Sequence, residues 1–564
     1  MIKPIRMHRY LLAIYLLILP VHLFAQDSLL QVLSEELGRE KKVLDMQPVP
    51  PYYMDYRGND LTTLTVSSSF GSLTGSDINH ARLVAADIRV GGYRFDNTHD
   101  LKKGGYDPRS DNPSVTIIPF NNKPLAIRQS LWLLTDEAYR NAVNTLQMIK
   151  ASLEGTDLKK DTLDFSREKP SVFDDGQGVD LDSELNKPEW EKRIKLYSKV
   201  FADDSLICKG EAQATFLFNT KYFVSTEGSR TREHSAFAQV LLMAMIKSRE
   251  GEMIPLARTF TATLPSRLPP DSVVLAEGRQ MLKDLHALRD AKVAEPFSGP
   301  ALFSPAASGV FFHEIFGHRI EGQRMNNDDD GQTFRDKVNA QVMPKFISVY
   351  SDPTATDYNG VELLGHYHYD EQGVAGQRVE VVKDGILRNF LMSRTPLDNF
   401  VHSNGHGRAQ AGLSPASRQS NLFIESDKLT DMKDLRKKLI SECKKQGKKY
   451  GYYFKEVFSG YTLTDRNMPN AFKVMPTMVY RIYTDGRPDE LVRGVDMIGT
   501  PLNMFSEIEA TSGPYGVFNG ICVAESGAVP VSTIAPAFFV KKVETQKQTG
   551  TDTTFPMLKR PGLQ

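Results

Sequence analysis

The apolar residues of the chain recur at two different spacings. Between Ser28 and Leu44 they return every three to four positions, which predicts an amphipathic helix. Further helices are predicted from Thr135 to about Leu153, with Thr135 as the cap, from Pro188 to about Phe201, from Asp271 to about Lys292, and over 431–446. Strand-like segments fill 61–70, 81–95, 210–226 and 236–246. Helices and strands are mixed without a regular strand–helix–strand alternation, so the predicted fold class is α+β.

Two large domains are predicted from the change of pattern near residue 295. The stretch Glu295–Pro300 contains two prolines and a glycine and is typical of a linker. It would separate an N-terminal α+β domain, 26–295, from a C-terminal domain, 296–545. Within the first domain, residues 154–186 are polar and acidic and predict a surface excursion. Residues 546–564 lack periodicity and predict a disordered tail.

The first 25 residues have the pattern of a targeting segment. Lys3, Arg6 and Arg9 precede ten apolar residues, 10–19, and Ala25 is a suitable cleavage position. The apolar run is about half as long as a membrane-spanning helix requires. A secretory signal peptide is therefore predicted, and with it a periplasmic or secreted protein. An uncleaved membrane anchor is the alternative. No later stretch of the sequence is long and apolar enough to span a bilayer.

Composition excludes several classes of protein. Lys and Arg total 69, and Asp and Glu also total 69, so the formal net charge is zero. A protein that binds nucleic acid through bulk electrostatics should be basic, so no nucleic-acid partner is expected. Three cysteines in 564 residues exclude a disulfide-rich scaffold and a four-cysteine zinc module.

One short motif is typical of metal chemistry: His313-Glu314-Ile-Phe-Gly317-His318. The two histidines are five residues apart, which places them about 140° apart on a regular α-helix. A π-bulge would bring both onto one zinc ion, and Gly317 would supply backbone freedom for it. Glu314 could act as a general base beside the metal. The alternative is a helix with one buried and one exposed histidine.

Taken with Glu321 and Gly322, this motif resembles that of the TldD/PmbA family of metallopeptidases. Further segments resemble the same family: Tyr369–Gly373, His402–Arg408, Arg418–Asn421, Glu490–Gly494 and Gly520–Cys522. The resemblance implies a two-domain architecture with mixed and antiparallel sheets and a helix that bears the HExxxH motif. It also implies a third zinc ligand near the C-terminus, and Cys522 stands at the matching position.

The resemblance implies a function as well. Zinc held by His313, His318 and Cys522 would activate a water molecule for peptide hydrolysis, with Glu314 as the general base. Glu321 would orient a ligand histidine, and His402, His406 and Arg408 would contact the substrate. The substrates would be unfolded or short peptides, and the protein would form a homodimer or a heterodimer with a TldE/PmbA-like chain.

Two alternatives remain open from the sequence. One is a catalytically silent TldE/PmbA-like subunit that acts by binding, and the other is a zinc hydrolase of non-peptide amides. The other two cysteines, Cys208 and Cys443, are expected to be ordinary residues, although in an oxidising compartment they could pair.

Overall fold

The computed structural model describes residues 27–99, 113–154, 163–326, 333–397, 399–462 and 472–548. The predicted signal peptide, 1–25, lies outside these ranges, as does the greater part of the predicted tail. Helices accompany two large sheets, which confirms the α+β class.

The N-terminal sheet is largely antiparallel. Its strands in the described residues are β1 (Pro51–Ser69), β2 (Ser72–Gly92), β3 (Phe95–Asp96), β4 (Ser114–Ile117), β5 (Val172–Asp174), β6 (Ile207–Ser225), β7 (Arg230–Lys247) and β8 (Met253–Ala262). The order is β3-β2-β1-β6-β7-β5, with β4 beside β2 and β8 beside β7. The helices are α1 (Ser28–Leu44), α2 (Pro124–Ser152), α3 (Leu181–Glu184), α4 (Lys187–Lys199) and α5 (Asp271–Asp290).

The helices of this half pack on one face of the sheet. Met54 and Tyr56 of β1 join the apolar cluster under α1 and α2, while Leu64 and Val66 join the cluster under α4 and α5. These positions are an even number of residues apart, with no bulge between them, so their side chains share a face. Arg57 points to the opposite face, where its Nη1 donates to the backbone oxygen of Leu413. The second half of the chain therefore covers the other side of this sheet.

The C-terminal sheet is mixed. Its strands in the described residues are β9 (Lys292–Val293), β10 (Phe297–Phe303), β11 (Ile347–Ser351), β14 (Val379–Lys383), β15 (Ile386–Leu387), β18 (Asn421–Ser426), β19 (Leu429–Thr430), β20 (Tyr450–Thr462), β21 (Phe472–Tyr483), β22 (Glu490–Arg493), β23 (Val495–Ile498), β24 (Ile508–Ala524) and β25 (Gly527–Lys547). Two small ribbons lie apart from it: β12 (Asp357–Tyr358) with β13 (Val361–Glu362), and β16 (Gly407–Arg408) with β17 (Ala416–Ser417). The helices are α6 (Pro305–Ile315), α7 (Met432–Lys445) and α8 (Pro501–Ser506).

The last strand, β25, joins the C-terminal sheet together. It pairs with β10, β18, β23 and β24, which come from widely separated parts of the sequence. Its middle, Ile534–Val540, is buried and contributes Phe538 to the core between the sheet and α6. The strand continues to Lys547, two residues beyond the predicted end of the domain.

Helix α1 has the predicted bounds, but the start predicted for α2 is wrong. The helix begins at Pro124, which supplies a favourable first residue, and Thr135 lies in its middle. Thr135 is buried and its hydroxyl contacts that of Tyr56. Asp136 and Glu137, which the sequence presents as a first turn, are therefore mid-helix residues.

The segment predicted as a surface excursion is partly internal. Residues 155–162 lie outside the description, but the Phe165 ring is buried between the guanidinium groups of Arg89 and Arg394. Arg394 comes from the C-terminal half, and its Nε donates to the backbone oxygen of Ser166. This segment therefore lies between the two halves of the molecule.

Within the described part of the chain, no helix has both the length and the apolar character needed to cross a membrane.

Candidate metal centre

The HExxxH motif begins at the end of an internal helix. Helix α6 starts with Pro305 after the cap residue Ser304, whose Oγ accepts a hydrogen bond from the Ala307 backbone nitrogen. Most of the helix is buried, since it packs against β20, β24 and β25. His313 and Glu314 are therefore placed by the core of the domain.

The structure shows no π-bulge within the described residues 305–320, where one was predicted. The α-helix ends at Ile315, and the chain continues from Gly317 to Ile320 as a 3₁₀ helix, so the motif does not lie on one helix. The junction at Phe316 between these two segments interrupts the regular helix, and this break accommodates the five-residue spacing. The rings of His313 and His318 come to lie 5.1 Å apart, centroid to centroid.

Residue 317 has to be glycine because a larger side chain would not fit there. Its backbone angles do not require glycine, since its φ is not positive. A Cβ atom at this position would lie 1.8 Å from Oε1 of Gln419. The Gln419 side chain is buried, and its Nε2 donates to the backbone oxygen of His313 at 3.4 Å. The missing side chain lets Gln419 pack across the break between the two histidines.

Cys522 reaches the histidines from the hairpin of β24 and β25. Its Sγ lies 3.4 Å from Nε2 of His318. The possible ligand atoms of His313, His318 and Cys522 all lie within 4.8 Å of one another, and the three residues are 3%, 7% and 5% exposed. Ligands from α6, the 3₁₀ turn and β24 thus meet in one buried place.

The chemistry of this cluster fits a zinc ion. Imidazole nitrogen and thiolate sulfur are both zinc ligands, and catalytic zinc sites combine three protein ligands with a fourth position left for water or substrate. Nδ1 of His313 is buried and has no hydrogen-bond partner among the described residues. A buried polar atom without a partner is costly, and a metal ligand bond is one way to satisfy such a nitrogen.

The charges of the cluster support one another. Burial opposes the charged form of His318, but Glu321 and then Cys522 outweigh it and raise the pKa of His318 to about 10. Burial alone would also raise the pKa of Cys522, yet the two histidines hold that pKa well below its usual value. These charges therefore favour the thiolate form of Cys522, which is the form that binds metals.

Glu321 lies behind His318. Its Oε2 accepts a hydrogen bond from Nδ1 of His318 at 3.1 Å and another from Nε of Arg324 at 2.8 Å. Burial favours the neutral carboxyl, but His318 and then Arg324 hold the pKa of Glu321 far below its usual value. The carboxylate is fully buried and directs the other ring nitrogen of His318 toward Cys522.

Glu314 lies on the accessible side of the cluster. Its Oε2 is 3.9 Å from Nε2 of His318, the nitrogen that faces Cys522. Its side chain is 13% exposed, whereas that of Glu321 is fully buried. Of these two carboxylates, Glu314 is the one that solvent can reach.

The three predicted substrate contacts are not part of this cluster. The side chain of His402 is 71% exposed and lies 3.5 Å from Glu168. His406 is fully buried, contacts Ser351 Oγ through Nε2, and has its pKa lowered to about 3 by burial. Arg408 is buried and donates to the backbone oxygens of Gln419 and Pro530. The contacts of His406 and Arg408 hold loops together. A contact with substrate stays a prediction for His402, His406 and Arg408.

Sequence reasoning did not assign a role to Arg418, Gln419 or Arg324. All three contact the predicted site residues or their backbone. The run Arg418–Asn421 was a visible signal, because four consecutive polar residues lead into β18 and the structure shows all four to be buried. Cys208 and Cys443 are free cysteines outside the cluster, Cys208 exposed and Cys443 buried.

Comparison with known proteins finds a family match in the second half of the chain. Residues 297–547 match the model of the PmbA/TldA metallopeptidase C-terminal domain. The second half of the chain is therefore similar to the C-terminal domain of the TldD/PmbA family. This confirms the resemblance expected from the motifs.

Curated relatives of this chain are named as metalloproteases. One from Methanocaldococcus jannaschii is 25% identical over 231 residues, which is 41% of this chain and 47% of the relative. A "zinc metalloprotease TldD homolog" from Saccharolobus solfataricus is 24% identical over 332 residues, 58% of this chain and 69% of the relative. The chain spans about half the length of the first relatives that it matches.

Solved structures confirm the family fold. TldE from Thermococcus kodakarensis superposes with a TM-score of 0.60 at 12% identity, covering 91% of this chain and 99% of that one. A protein described as a modulator of DNA gyrase, from Thermotoga maritima, gives a TM-score of 0.60 at 14% identity over the same shares of the two chains.

Proposed function

We propose that this protein is a zinc-dependent peptidase that cleaves short or unfolded peptides. The observation that carries the proposal is the meeting of His313, His318 and Cys522 within 4.8 Å, with Glu314 beside them. The metalloprotease names of the relatives support a hydrolase at the level of the family.

His313, His318 and Cys522 would hold the zinc ion. When bound, zinc would supply a Lewis acid and would lower the pKa of a water molecule in the site. Glu321 keeps the His318 ring oriented through the hydrogen bond at Nδ1, as carboxylates commonly do for ligand histidines.

Glu314 is the proposed general base. It would accept a proton from the attacking water as the new carbon–oxygen bond forms, and would return a proton to the amine as the carbon–nitrogen bond breaks. Its place supports this role, since Oε2 lies beside the cluster and the side chain is partly exposed.

The burial of the cluster supports the proposed substrate class. Because the three ligand residues are at most 7% exposed, the surface of a folded protein would not reach them. An extended peptide has a much thinner cross-section. We further propose that the protein acts as a homodimer or with a TldE/PmbA-like chain, and that it is exported.

The proposal is tested with purified protein of the full chain. Metal content is measured by mass spectrometry, and cleavage is followed with casein and with short peptides. We expect Glu314→Gln to retain zinc and to lose cleavage by about 10²–10⁴-fold. Glu425→Gln, an exposed glutamate of the same domain, is the matched control and should cleave normally.

Two results would redirect the proposal. Stoichiometric zinc without cleavage, both alone and with a TldE/PmbA-like chain, would favour the silent subunit. Hydrolysis confined to non-peptide amides in a substrate panel would favour the amide hydrolase. Undiminished cleavage by Glu314→Gln would remove Glu314 from the mechanism.

A further inference from the structure

We propose that Arg418 and Arg324 are positioning residues that hold the Cys522 hairpin against the turn that carries His318. The proposal rests on the metal centre of the proposed function, and it goes beyond that function by naming what brings the third ligand into place. Neither arginine is a ligand or a general base in the proposal.

Arg418 joins both arms of the hairpin. Its Nη2 donates to the backbone oxygen of Cys522 at 2.8 Å, while Nη1 donates to Ser526 Oγ at 2.8 Å and to the backbone oxygen of Gly527 at 3.0 Å. The side chain is fully buried, and its Nε lies 3.6 Å from Oε1 of Glu321. One guanidinium group therefore connects the hairpin to the carboxylate that orients His318.

Arg324 makes a second connection between the same two parts. Its Nε donates to Oε2 of Glu321 at 2.8 Å, and its Nη2 donates to Oε2 of Glu525 at 2.6 Å. Glu525 lies in the turn between β24 and β25. The Glu321 carboxylate thus contacts both Arg418 and Arg324, and each arginine also bonds to a different part of the hairpin.

Apolar packing next to Cys522 is slight, so the position of the hairpin depends on polar contacts, among them those of Gln410 with Ser526 and Ala528. Among the described residues, 516–524 of β24 pair with β25 alone. The side chains on either side of the ligand, Ile521 and Val523, are 38% and 75% exposed. The apolar cluster around Cys522 consists of Cys522, Val529 and Val531. Burial of apolar surface therefore contributes little to the position of the thiolate.

The geometry requires arginine rather than a positive charge alone. The acceptors of Arg418 lie on three residues and are reached by two separate nitrogens of one planar group. A lysine ammonium is a single point and cannot reproduce this fork. Arg418→Lys therefore keeps the charge and removes the connection.

The test uses cobalt(II) as a probe for the full chain after removal of its metal. Thiolate ligation of cobalt gives a charge-transfer absorption that reports on Cys522, and titration gives the dissociation constant. We expect Arg418→Lys and Arg324→Gln to weaken this absorption and to raise the dissociation constant by about 10–100-fold. Arg394→Gln is the matched control, because it removes a buried arginine that bonds to Glu227 and Ser166, away from the hairpin.

The outcomes are distinguishable. Wild-type absorption and affinity in both variants would overturn the positioning role, and an equal loss in Arg394→Gln would reduce it to general destabilisation. If Arg418→Lys fails to fold, as judged by circular dichroism, Arg324→Gln decides the matter, because its side chain is 13% exposed. Absence of the thiolate absorption from the wild-type protein would instead refute the metal centre itself.

Discussion

Nδ1 of His318 donates to Oε2 of Glu321, three residues further along the chain, over 3.1 Å. This bond occupies one ring nitrogen and leaves Nε2 facing Sγ of Cys522 at 3.4 Å. The partner of one imidazole nitrogen decides how the other can bind a metal. Glu321 therefore fixes the orientation in which His318 faces the Cys522 sulfur.

Removal of the Glu321 carboxylate should weaken metal binding. Glu321→Ala leaves His318 free to rotate, so we expect the zinc dissociation constant to rise by about 10–100-fold. Competition with a chromophoric chelator measures this constant. Glu321→Gln keeps a side-chain oxygen that can accept the hydrogen bond, so its loss should be smaller. Equal affinity in wild type and Glu321→Ala would contradict the orienting role.

The three cysteines should differ in their effect on metal content. Cys522→Ala removes a predicted ligand and should give protein with little zinc after dialysis. Cys208→Ala changes an exposed residue and should keep its zinc. Cys443→Ala should also keep its zinc but should lose roughly 1–2 kcal/mol of unfolding free energy, because Cys443 is buried beside Leu435 and Leu439. Metal analysis and urea unfolding separate the three cases, and zinc retained by Cys522→Ala would argue against the ligand set.

A methyl group at residue 317 should disturb the centre through Gln419. Gly317→Ala places Cβ into the Gln419 side chain, and overpacking of this kind costs about 1–3 kcal/mol. We expect a lower melting temperature and weaker zinc binding. The double variant Gly317→Ala with Gln419→Ala removes the clash and should recover part of both losses. Failure to recover either would show that Gly317 acts in another way.

The contact between the two halves should depend on pH through Glu233. Its carboxylate accepts bonds from the backbone nitrogens of His368 and Tyr369, and it pairs with Lys221 at 3.5 Å. Burial opposes the charge, but Lys221 and then His368 lower the pKa of Glu233 to about 2. Because the folded pKa is below the unfolded value of about 4.3, the stabilisation is complete above about pH 5 and is lost as the pH falls toward 2.

The measurement compares Glu233→Gln with wild type in urea at pH 7 and pH 3. The variant should lose roughly 1–3 kcal/mol at pH 7, since a buried charge-assisted contact is removed. The difference should shrink at pH 3. A difference that does not change with pH would assign the loss to packing rather than to the charge.

The sequence predicted the local features of this protein better than the long-range ones. The bounds of α1 follow from the spacing of its leucines, which repeats along a single helix. The prediction that Thr135 caps α2 was wrong because the acidic residues after it resemble the first turn of a helix. The helix in fact begins at Pro124, eleven residues earlier. The spacing of His313 and His318 showed that a regular α-helix could not direct both rings at one metal ion. It did not show whether the chain would form a π-bulge or a 3₁₀ turn there. Gln419, about a hundred residues further along the chain, packs against Gly317 at this break, and the local sequence does not reveal such a contact.

The pairing of β25 has a consequence for the order in which the centre is assembled. Cys522 is held in its hairpin by pairing with Val529, and β25 also completes the sheet around α6 by joining β10 and β18. A chain that ends at β24 contains all three candidate ligand residues but lacks the strand that pairs with Cys522 and completes the sheet around α6. Assembly of the three residues therefore depends on the last strand of the described chain.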